Sequence, residues 1–194
     1  MSINKLVENF SNDLFPLSDD ERNQLRSRFR ERHIKRRHFI LHKGEVCKHY
    51  TFVAEGCFKL YKIDDNGKEH NLQFTIENEW ISDLGSLYSE TPSEVYIEAI
   101  EHSTILQIER DDLYYLYTHY PNIDRRFRVV IEHSFIALQQ RMFQNISSSA
   151  EERYAYFLKT HPGLLNRISN VQIASYLGVT PEFLSTIRKK MVKS

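Results

Sequence analysis

The chain has 194 residues, 41% of them apolar, which is enough to fill the core of one domain or of two modest ones. Its 26 basic and 26 acidic residues give a net charge of zero, but the two signs are segregated along the chain. Residues 21–43 carry a net charge of +7, residues 44–124 of −11 and residues 147–194 of +4. Such segregation points to charged partners. The sequence has no long apolar run and no signal-peptide core, which argues against a membrane protein. It has only two cysteines, Cys47 and Cys57, which argues against a secreted disulfide-rich protein. Together these features predict a cytoplasmic location.

The periodicity of the chain changes from helical to strand-like within its first third. Ser18 and Glu21 have the spacing of a capping box, which predicts a helix over the stretch that follows. From about Arg36 onward, apolar and polar residues alternate, as in half-buried strands. Asn66-Gly67 is a strong signal for a tight hairpin, because a type I′ turn needs two positive φ angles. Many short strands separated by such turns predict an antiparallel sandwich or barrel, and the clearest alternating apolar positions are Leu72, Phe74 and Ile76, followed by Val95, Ile97 and Ala99.

Helical periodicity returns after Ile108. A short helix is predicted over residues 111–119 and a long one over residues 122–146, which contain no Gly or Pro. The long helix has a stripe of apolar residues wider than one neighbour would cover, so we expect it to pack on its own barrel and on a partner, forming a homodimer. The alternative is a helix covered entirely within its own subunit. The stripe consists of Phe127, Val130, Ile131, Phe135, Ala137, Leu138, Met142, Phe143 and Ile146.

Further capping boxes mark the C-terminal helices. Residues 147–149 are three serines and form a candidate hinge. Ser149 with Glu152 predicts a helix over residues 150–160, and Ser169 with Gln172 predicts the start of another at residue 170.

The last segment has the pattern of a helix-turn-helix. Gly178 interrupts the helix that starts at residue 170, Thr180 is suited to cap the next one, and Pro181 is suited to its first position. The apolar residues expected to pack the two helices together are Ile173, Ala174, Leu177, Val179, Leu184 and Ile187.

The second of these helices carries the residues that we expect to contact double-stranded DNA. Small polar side chains and Glu182 would face the major groove, and basic residues would reach the phosphates. The alternative is a plain helical cap with a solvated basic end. The predicted DNA-binding residues are Thr180, Glu182, Ser185, Thr186, Arg188, Lys189 and Lys190.

The whole sequence resembles the Crp/Fnr transcription regulators. The resemblance rests on residues 43–70, 80–99 and 167–190, the last of which reads RISNVQIASYLGVTPEFLSTIRKK. It implies an α+β fold in which an antiparallel β-roll, a double-stranded jelly roll, is flanked by helices. The implied divisions are a cyclic-nucleotide-binding-like sensor over residues 1–118, a dimerisation helix over 119–148 and a DNA-binding domain over 149–194. It also implies RNA polymerase as a further candidate partner.

The implied effector pocket departs from the pattern of the nucleotide-binding members of this family. Aligned with their phosphate-binding loop, Ser93 stands where an arginine should hold the cyclic phosphate and Glu94 stands where a serine should be. A missing cation and an added carboxylate both disfavour an anionic ligand. We therefore expect neither cyclic AMP nor cyclic GMP, but a different small-molecule effector or none. The pocket residues implied by the resemblance are Ser82, Asp83, Leu84, Ser93 and Glu94, of which Asp83 matches the acidic position that contacts the ribose.

Other chemistries are not indicated. The nine histidines include no pattern typical of metal ligands, and no nucleophile motif or phosphate-binding loop is present, so we expect neither a metal site nor an enzyme. The basic run from Arg26 to Arg37 has three open interpretations: a solvated face, a second DNA contact, or a contact for the acidic roll. The competing function is a small-molecule sensor that acts through protein partners without binding DNA.

Overall fold

The computed structural model describes residues 2–11 and 16–193. Within these residues the helices are α1 (Ser2–Phe10), α2 (Asp19–Arg28), α3 (Leu84–Ser89), α4 (Arg110–His119), α5 (Pro121–Ser147), α6 (Ala150–Thr160), α7 (Asn170–Leu177) and α8 (Pro181–Lys193). The strands are β1 (Arg30–Ile34), β2 (Phe39–Leu41), β3 (His49–Glu55), β4 (Phe58–Ile63), β5 (Glu69–Thr75), β6 (Trp80–Ile81), β7 (Tyr96–Ala99) and β8 (Ser103–Glu109). No helix of this described part is both long and apolar enough to cross a bilayer.

The chain forms two compact units. The first comprises the residues up to Leu60 together with Phe74–Glu132. The second comprises Tyr61–Gln73, which is the tip of the β4–β5 hairpin, and the chain from His133 onward.

Two four-stranded antiparallel sheets confirm the predicted β-roll. Their strand orders are β1-β8-β3-β6 and β2-β7-β4-β5. The predicted alternation is confirmed in β7, where Ile97 and Ala99 are buried. Because strands that are distant in sequence pair side by side, polar residues of β1, β3 and β8 come together on one sheet.

The core of the first unit is centred on Trp80. The rings of Phe10, Tyr50, Phe52 and Phe127 lie with their centroids 4.7–5.6 Å from the Trp80 ring. These rings come from α1, β3 and α5, so aromatic packing fixes those helices against one face of the sheet. Cys47 and Cys57 are buried free thiols.

The long helix α5 has two different environments along its length. Ile123 and Phe127 are buried in the core of the first unit, which confirms that this helix packs on its own barrel. Beyond residue 131 its apolar side chains are exposed, and the predicted partner for them stays a prediction.

The predicted alternation is wrong at the start of β5. Leu72, expected in the core, has 42% of its surface exposed, whereas the polar Asn71 has only 2%. The reason is that Asn71 is covered by α7 of the second unit, where its backbone N–H donates to Ser175 Oγ (3.0 Å) and its side-chain amide donates to the Gln172 carbonyl (3.4 Å). Polar partners on a neighbouring helix therefore decide which face of this strand is buried.

Candidate DNA-binding surface and effector pocket

Three side-chain caps set the beginnings of the last helices. The capping boxes of Ser149 with Glu152 and of Ser169 with Gln172 are both present, which confirms the predicted starts of α6 and α7. The Thr180 hydroxyl accepts a hydrogen bond from the Phe183 N–H (3.2 Å) and so caps α8. Each cap satisfies a backbone donor that the first turn of a helix leaves without a partner.

The turn between α7 and α8 depends on Gly178. This residue has a φ of +69°, in the left-handed region that glycine adopts at little cost. The Val179 N–H then donates back to the Ala174 carbonyl (3.0 Å), which closes the turn. α7 and α8 are therefore two short helices joined by a tight turn, the arrangement that a helix-turn-helix requires. Their shared core comprises the buried residues Ile173, Ala174, Leu177, Leu184 and Ile187, with Val179 half-buried at its edge.

The opposite face of α8 is exposed and polar. Glu182, Ser185, Thr186 and Lys189 all lie on this face, which we call the α8 polar face. The Ser185 hydroxyl donates to the Pro181 carbonyl (2.9 Å) and the Thr186 hydroxyl donates to the Glu182 carbonyl (3.2 Å). Because these bonds use the hydroxyl protons, both oxygens are left to accept hydrogen bonds from a ligand.

The three predicted phosphate-binding cations differ in their surroundings. Arg188 donates to the Asn170 side chain, and the Lys190 ammonium lies 3.6 Å from the Glu151 carboxylate. Lys189 has no carboxylate within 4 Å in the described part of the chain, so its charge is unopposed at short range. Exposed ion pairs such as that of Lys190 are worth ~1 kcal/mol or less, so DNA phosphates can replace them.

A second exposed feature is apolar. On α5 the large side chains beyond residue 131 form a continuous stripe along the helix axis. We call it the α5 stripe, and its members are Phe135, Leu138, Met142, Phe143 and Ile146, with Ile131 at its margin and Ile136 beside it.

Of the predicted effector residues, Asp83 and Ser93 are hydrogen-bonded to each other, and Ser82 bonds the backbone of β3. The Ser93 hydroxyl is buried and donates to Asp83 Oδ2 (2.7 Å), and the other Asp83 oxygen accepts the Ser86 N–H (3.2 Å), which caps α3. Ser82 donates to the His49 carbonyl (3.0 Å), and Leu84 is half-buried against the core. The Asp83 carboxylate thus accepts hydrogen bonds from the Ser86 N–H and the Ser93 hydroxyl, two donors that an anionic ligand at this loop would need.

Glu94 is exposed at the edge of this loop. Its carboxylate lies 3.6 Å from the Lys43 ammonium. Its negative charge is therefore only partly offset by a solvent-screened pair.

The first unit contains a cavity of about 530 Å³ that the sequence did not indicate. It opens between the two sheets, and a chain of polar contacts crosses one wall: Arg32 donates to Gln107 Oε1 (2.7 Å), and the Gln107 amide donates to Thr51 Oγ1 (3.0 Å). None of the five predicted effector residues lines it. A usable signal was the pair of polar residues, Thr51 and Gln107, within otherwise apolar strands. The remaining lining residues are Ile40, Leu41, Glu45, Val46, Cys47, Lys48, His49 and Ile97.

Two cations, Arg32 and Lys48, and one carboxylate, that of Glu45, line this cavity. Arg32 and Lys48 have no carboxylate within 4 Å in the described ranges. Burial lowers the pKa of His49 below its ordinary value, Glu109 acts in the opposite direction, and Arg32 and Lys48 add to the lowering. These surroundings favour the neutral form of the His49 ring.

The basic run from Arg26 to Arg37 makes contacts within the first unit. Arg28 forms an ion pair with Asp112 and lies 3.8 Å from the centre of the Tyr115 ring. Side chains of β1 before Ile34 are exposed. Within residues 2–11 and 16–193, no three His, Cys, Asp or Glu side chains come together as a candidate metal site.

The described part of the chain is an antiparallel β-roll, followed by a long helix and three shorter helices of which the last two are joined by a tight turn. Residues 31–120 match the model of the cyclic nucleotide-binding domain family. Over 91% of its length the chain is 25% identical to a probable transcriptional regulator of Lacticaseibacillus casei, of which it covers 83%.

Solved structures show the same fold. FixK2 from Bradyrhizobium japonicum has a TM-score of 0.74 at 19% identity, with 85% of each chain covered. The c-di-GMP responsive regulator CLP of Xanthomonas campestris has a TM-score of 0.73 at 15% identity, with 91% of this chain and 92% of that one covered. A Crp/Fnr family regulator of Eubacterium rectale has a TM-score of 0.72 at 18% identity, with 95% and 88% covered. The resemblance to the Crp/Fnr regulators is therefore confirmed.

Proposed function

We propose that the protein is a cytoplasmic, homodimeric transcription regulator that binds double-stranded DNA in a sequence-specific manner. The observation that carries the proposal is the α8 polar face, which a capped helix-turn-helix presents to solvent at the C-terminal end of a Crp/Fnr-like chain. The similarity to regulators over nearly the whole chain supports the same conclusion.

Each residue of the α8 polar face has a chemical role in this proposal. Glu182 accepts a hydrogen bond from the cytosine amine in the major groove. Ser185 and Thr186 also act as acceptors, since their own protons are used within the helix. Lys189 contacts a phosphate, and Arg188 and Lys190 exchange their internal partners for phosphates on binding.

The α5 stripe is proposed as the dimer interface. Two copies related by a twofold axis would bury the same residues against each other. Their α8 helices would then occupy half-sites about 34 Å apart, so the operator should be nearly palindromic. RNA polymerase is a further proposed partner at the promoter, without assigned contact residues.

The β-roll is proposed to sense a small molecule other than a cyclic nucleotide, or to have lost its effector. Ser93 brings no cation to the phosphate position, and its hydroxyl already binds Asp83. Asp83 in turn caps α3, and Glu94 adds negative charge nearby. A cyclic phosphate at this loop would therefore face carboxylates without an arginine to offset them.

A gel-shift series over increasing salt, with random and selected duplexes, tests the proposal. A regulator should bind random DNA at low salt, lose that binding steeply as salt rises, and retain tighter binding to selected sites. Absence of binding at low salt would refute DNA binding and favour a sensor that acts through protein partners.

A further inference from the structure

The α5–α6 connection does not by itself fix the orientation of the helix-turn-helix. α5 ends at Ser147 and α6 begins at Ala150, so residues 148 and 149 alone join them. Two non-helical residues leave enough backbone freedom for the following helices to pivot. Contacts between side chains must therefore set the orientation of α8 relative to α5.

Two consecutive side chains of α5 supply such contacts. Gln140 Oε1 accepts a hydrogen bond from the Tyr156 hydroxyl of α6 (2.6 Å). Arg141 reaches α7, where its guanidinium donates to the Tyr176 carbonyl (3.2 Å) and lies 4.0 Å from the centre of the Tyr176 ring.

Arg141 also holds the hairpin tip that belongs to this unit. Its guanidinium donates to the Asn71 carbonyl (3.1 Å) and to the Leu72 carbonyl. It therefore connects three elements, α5, α7 and β5, through backbone oxygens whose positions are fixed by secondary structure. A rigid fork of donors is well suited to such multiple contacts.

The hairpin tip in turn binds α7 directly. The Ser175 hydroxyl donates to the Glu69 carbonyl (2.7 Å) and accepts the Asn71 N–H (3.0 Å). β5 is an edge strand, so its outer backbone groups need partners other than a further strand. Ser175 supplies them, and the contact locks α7 in register with β5.

This cluster is polar and not fully paired. Arg141 has no carboxylate within 4 Å in the described segments, and Asn71 Oδ1 is buried without a hydrogen-bond partner. Burial lowers the pKa of Arg141 from its ordinary value, which reflects the desolvation of its charge. The contacts of Arg141 with α7 are thus a directional hydrogen bond and a cation–π contact.

We propose that Arg141 is a positioning residue that fixes the helix-turn-helix relative to the dimer helix and thereby sets the half-site spacing the protein accepts. This inference rests on the proposed function, since it assumes DNA binding by a dimer. The α5 stripe, Arg141 and the α8 polar face all belong to the second unit, so the inference concerns the arrangement of helices within that unit.

The test compares the full-length protein with Arg141→Met, Arg141→Lys and Ser175→Ala on duplexes selected by the wild type. Each duplex is also made with 2 base pairs inserted between half-sites, which turns one half-site by about 70°. Wild type should lose at least about 30-fold in affinity on insertion, whereas Arg141→Met should lose about threefold or less, and bind the original spacing about tenfold more weakly. Lysine should restore part of the discrimination, and Ser175→Ala should act in the same direction with a smaller effect.

Three controls separate positioning from folding and from DNA binding itself. Affinity for a single half-site should be unchanged in Arg141→Met, because α8 remains intact. Arg128→Met removes an exposed arginine of the same helix, whose ion pair among the described residues is with Asp124, and should behave like wild type. Full discrimination in Arg141→Met, or the same loss in Arg128→Met, would overturn the inference. A wild type that binds no duplex would instead refute the proposed function.

Discussion

Replacing Phe135 and Leu138 with aspartate should convert the proposed dimer into a monomer. In one protomer these side chains are 58% and 62% exposed, so dimerisation can bury about three-fifths of each. Complete burial of such a side chain contributes ~1.5–3 kcal/mol, so four copies of this partial burial contribute ~4–7 kcal/mol. Loss of ~4 kcal/mol weakens a dimer about 1,000-fold, and four clustered carboxylates weaken it further. Sedimentation equilibrium at micromolar concentration should show twice 23.1 kDa for the wild type and 23.1 kDa for the variant.

Val171 supplies a matched control for this experiment. It is 62% exposed, like Leu138, but lies on α7 outside the α5 stripe. Val171→Asp should therefore remain dimeric. An unchanged mass for the double variant, or dissociation of Val171→Asp, would show that the interface lies elsewhere.

Three further predictions concern DNA, effector and pH. Lys189→Ala should weaken binding to all duplexes and reduce the salt slope by about one, whereas Glu182→Ala should relax the preference at one base pair and cost ~1–3 kcal/mol on the best site. Calorimetric titration with cyclic AMP should show no binding tighter than about millimolar, roughly −4 kcal/mol, and Ser93→Arg with Glu94→Ser should improve it. Burial lowers the pKa of His161 in the folded protein. The stability that the neutral His161 ring contributes should therefore be fully present above pH ~6.5, the pKa of histidine in the unfolded chain. It should be lost as the pH falls below that value, because the unfolded chain then binds the proton more readily. His161→Gln should flatten that part of the dependence of urea midpoint on pH.

Each of these predictions has a clear contrary result. Lys159 is an exposed lysine on α6, and Lys159→Ala should leave the salt slope unchanged. If the Lys189 and Glu182 variants had equal effects on selected and random DNA, α8 would be excluded as the recognition helix. Micromolar binding of cyclic AMP by the unmodified protein would mean that another basic residue reaches the phosphate. An unchanged acid dependence in His161→Gln would assign the effect to other groups such as His49, whose pKa is also lowered by burial.

Features set by residues close in sequence could be predicted from the sequence alone. The capping boxes at Ser18, Ser149 and Ser169 join residues three positions apart, and all three are present. Gly178 ends α7 because its left-handed conformation is a property of the residue itself. The family resemblance then supplied the order in which these elements assemble, which local patterns do not determine.

Features that depend on distant residues could not be predicted in this way. Asn71 is buried because Ser175 and Gln172, about 100 positions later, supply its hydrogen bonds. Likewise the alignment placed Ser93 at a ligand position, but only the structure shows its hydroxyl bound to Asp83. The polar residues in the wall of the cavity, Arg32, Thr51 and Gln107, come together because β1, β3 and β8 pair, which local sequence patterns do not predict.

Any effect of a ligand in the β-roll on the proposed DNA-binding residues must pass between the two units of the chain. The backbone crosses between the two units at three places: it enters the second unit within β4 after Leu60, returns to the first within β5 after Gln73, and enters the second again within α5 after Glu132. All three segments lead directly to elements that Arg141 connects, since it extends from α5 and contacts both β5 and α7. An effector that displaced β5 or α5 would therefore act on the orientation of α7 through Arg141, together with the contacts of Ser175. On this argument, Arg141→Met should weaken the coupling between any effector and DNA affinity while leaving effector binding intact.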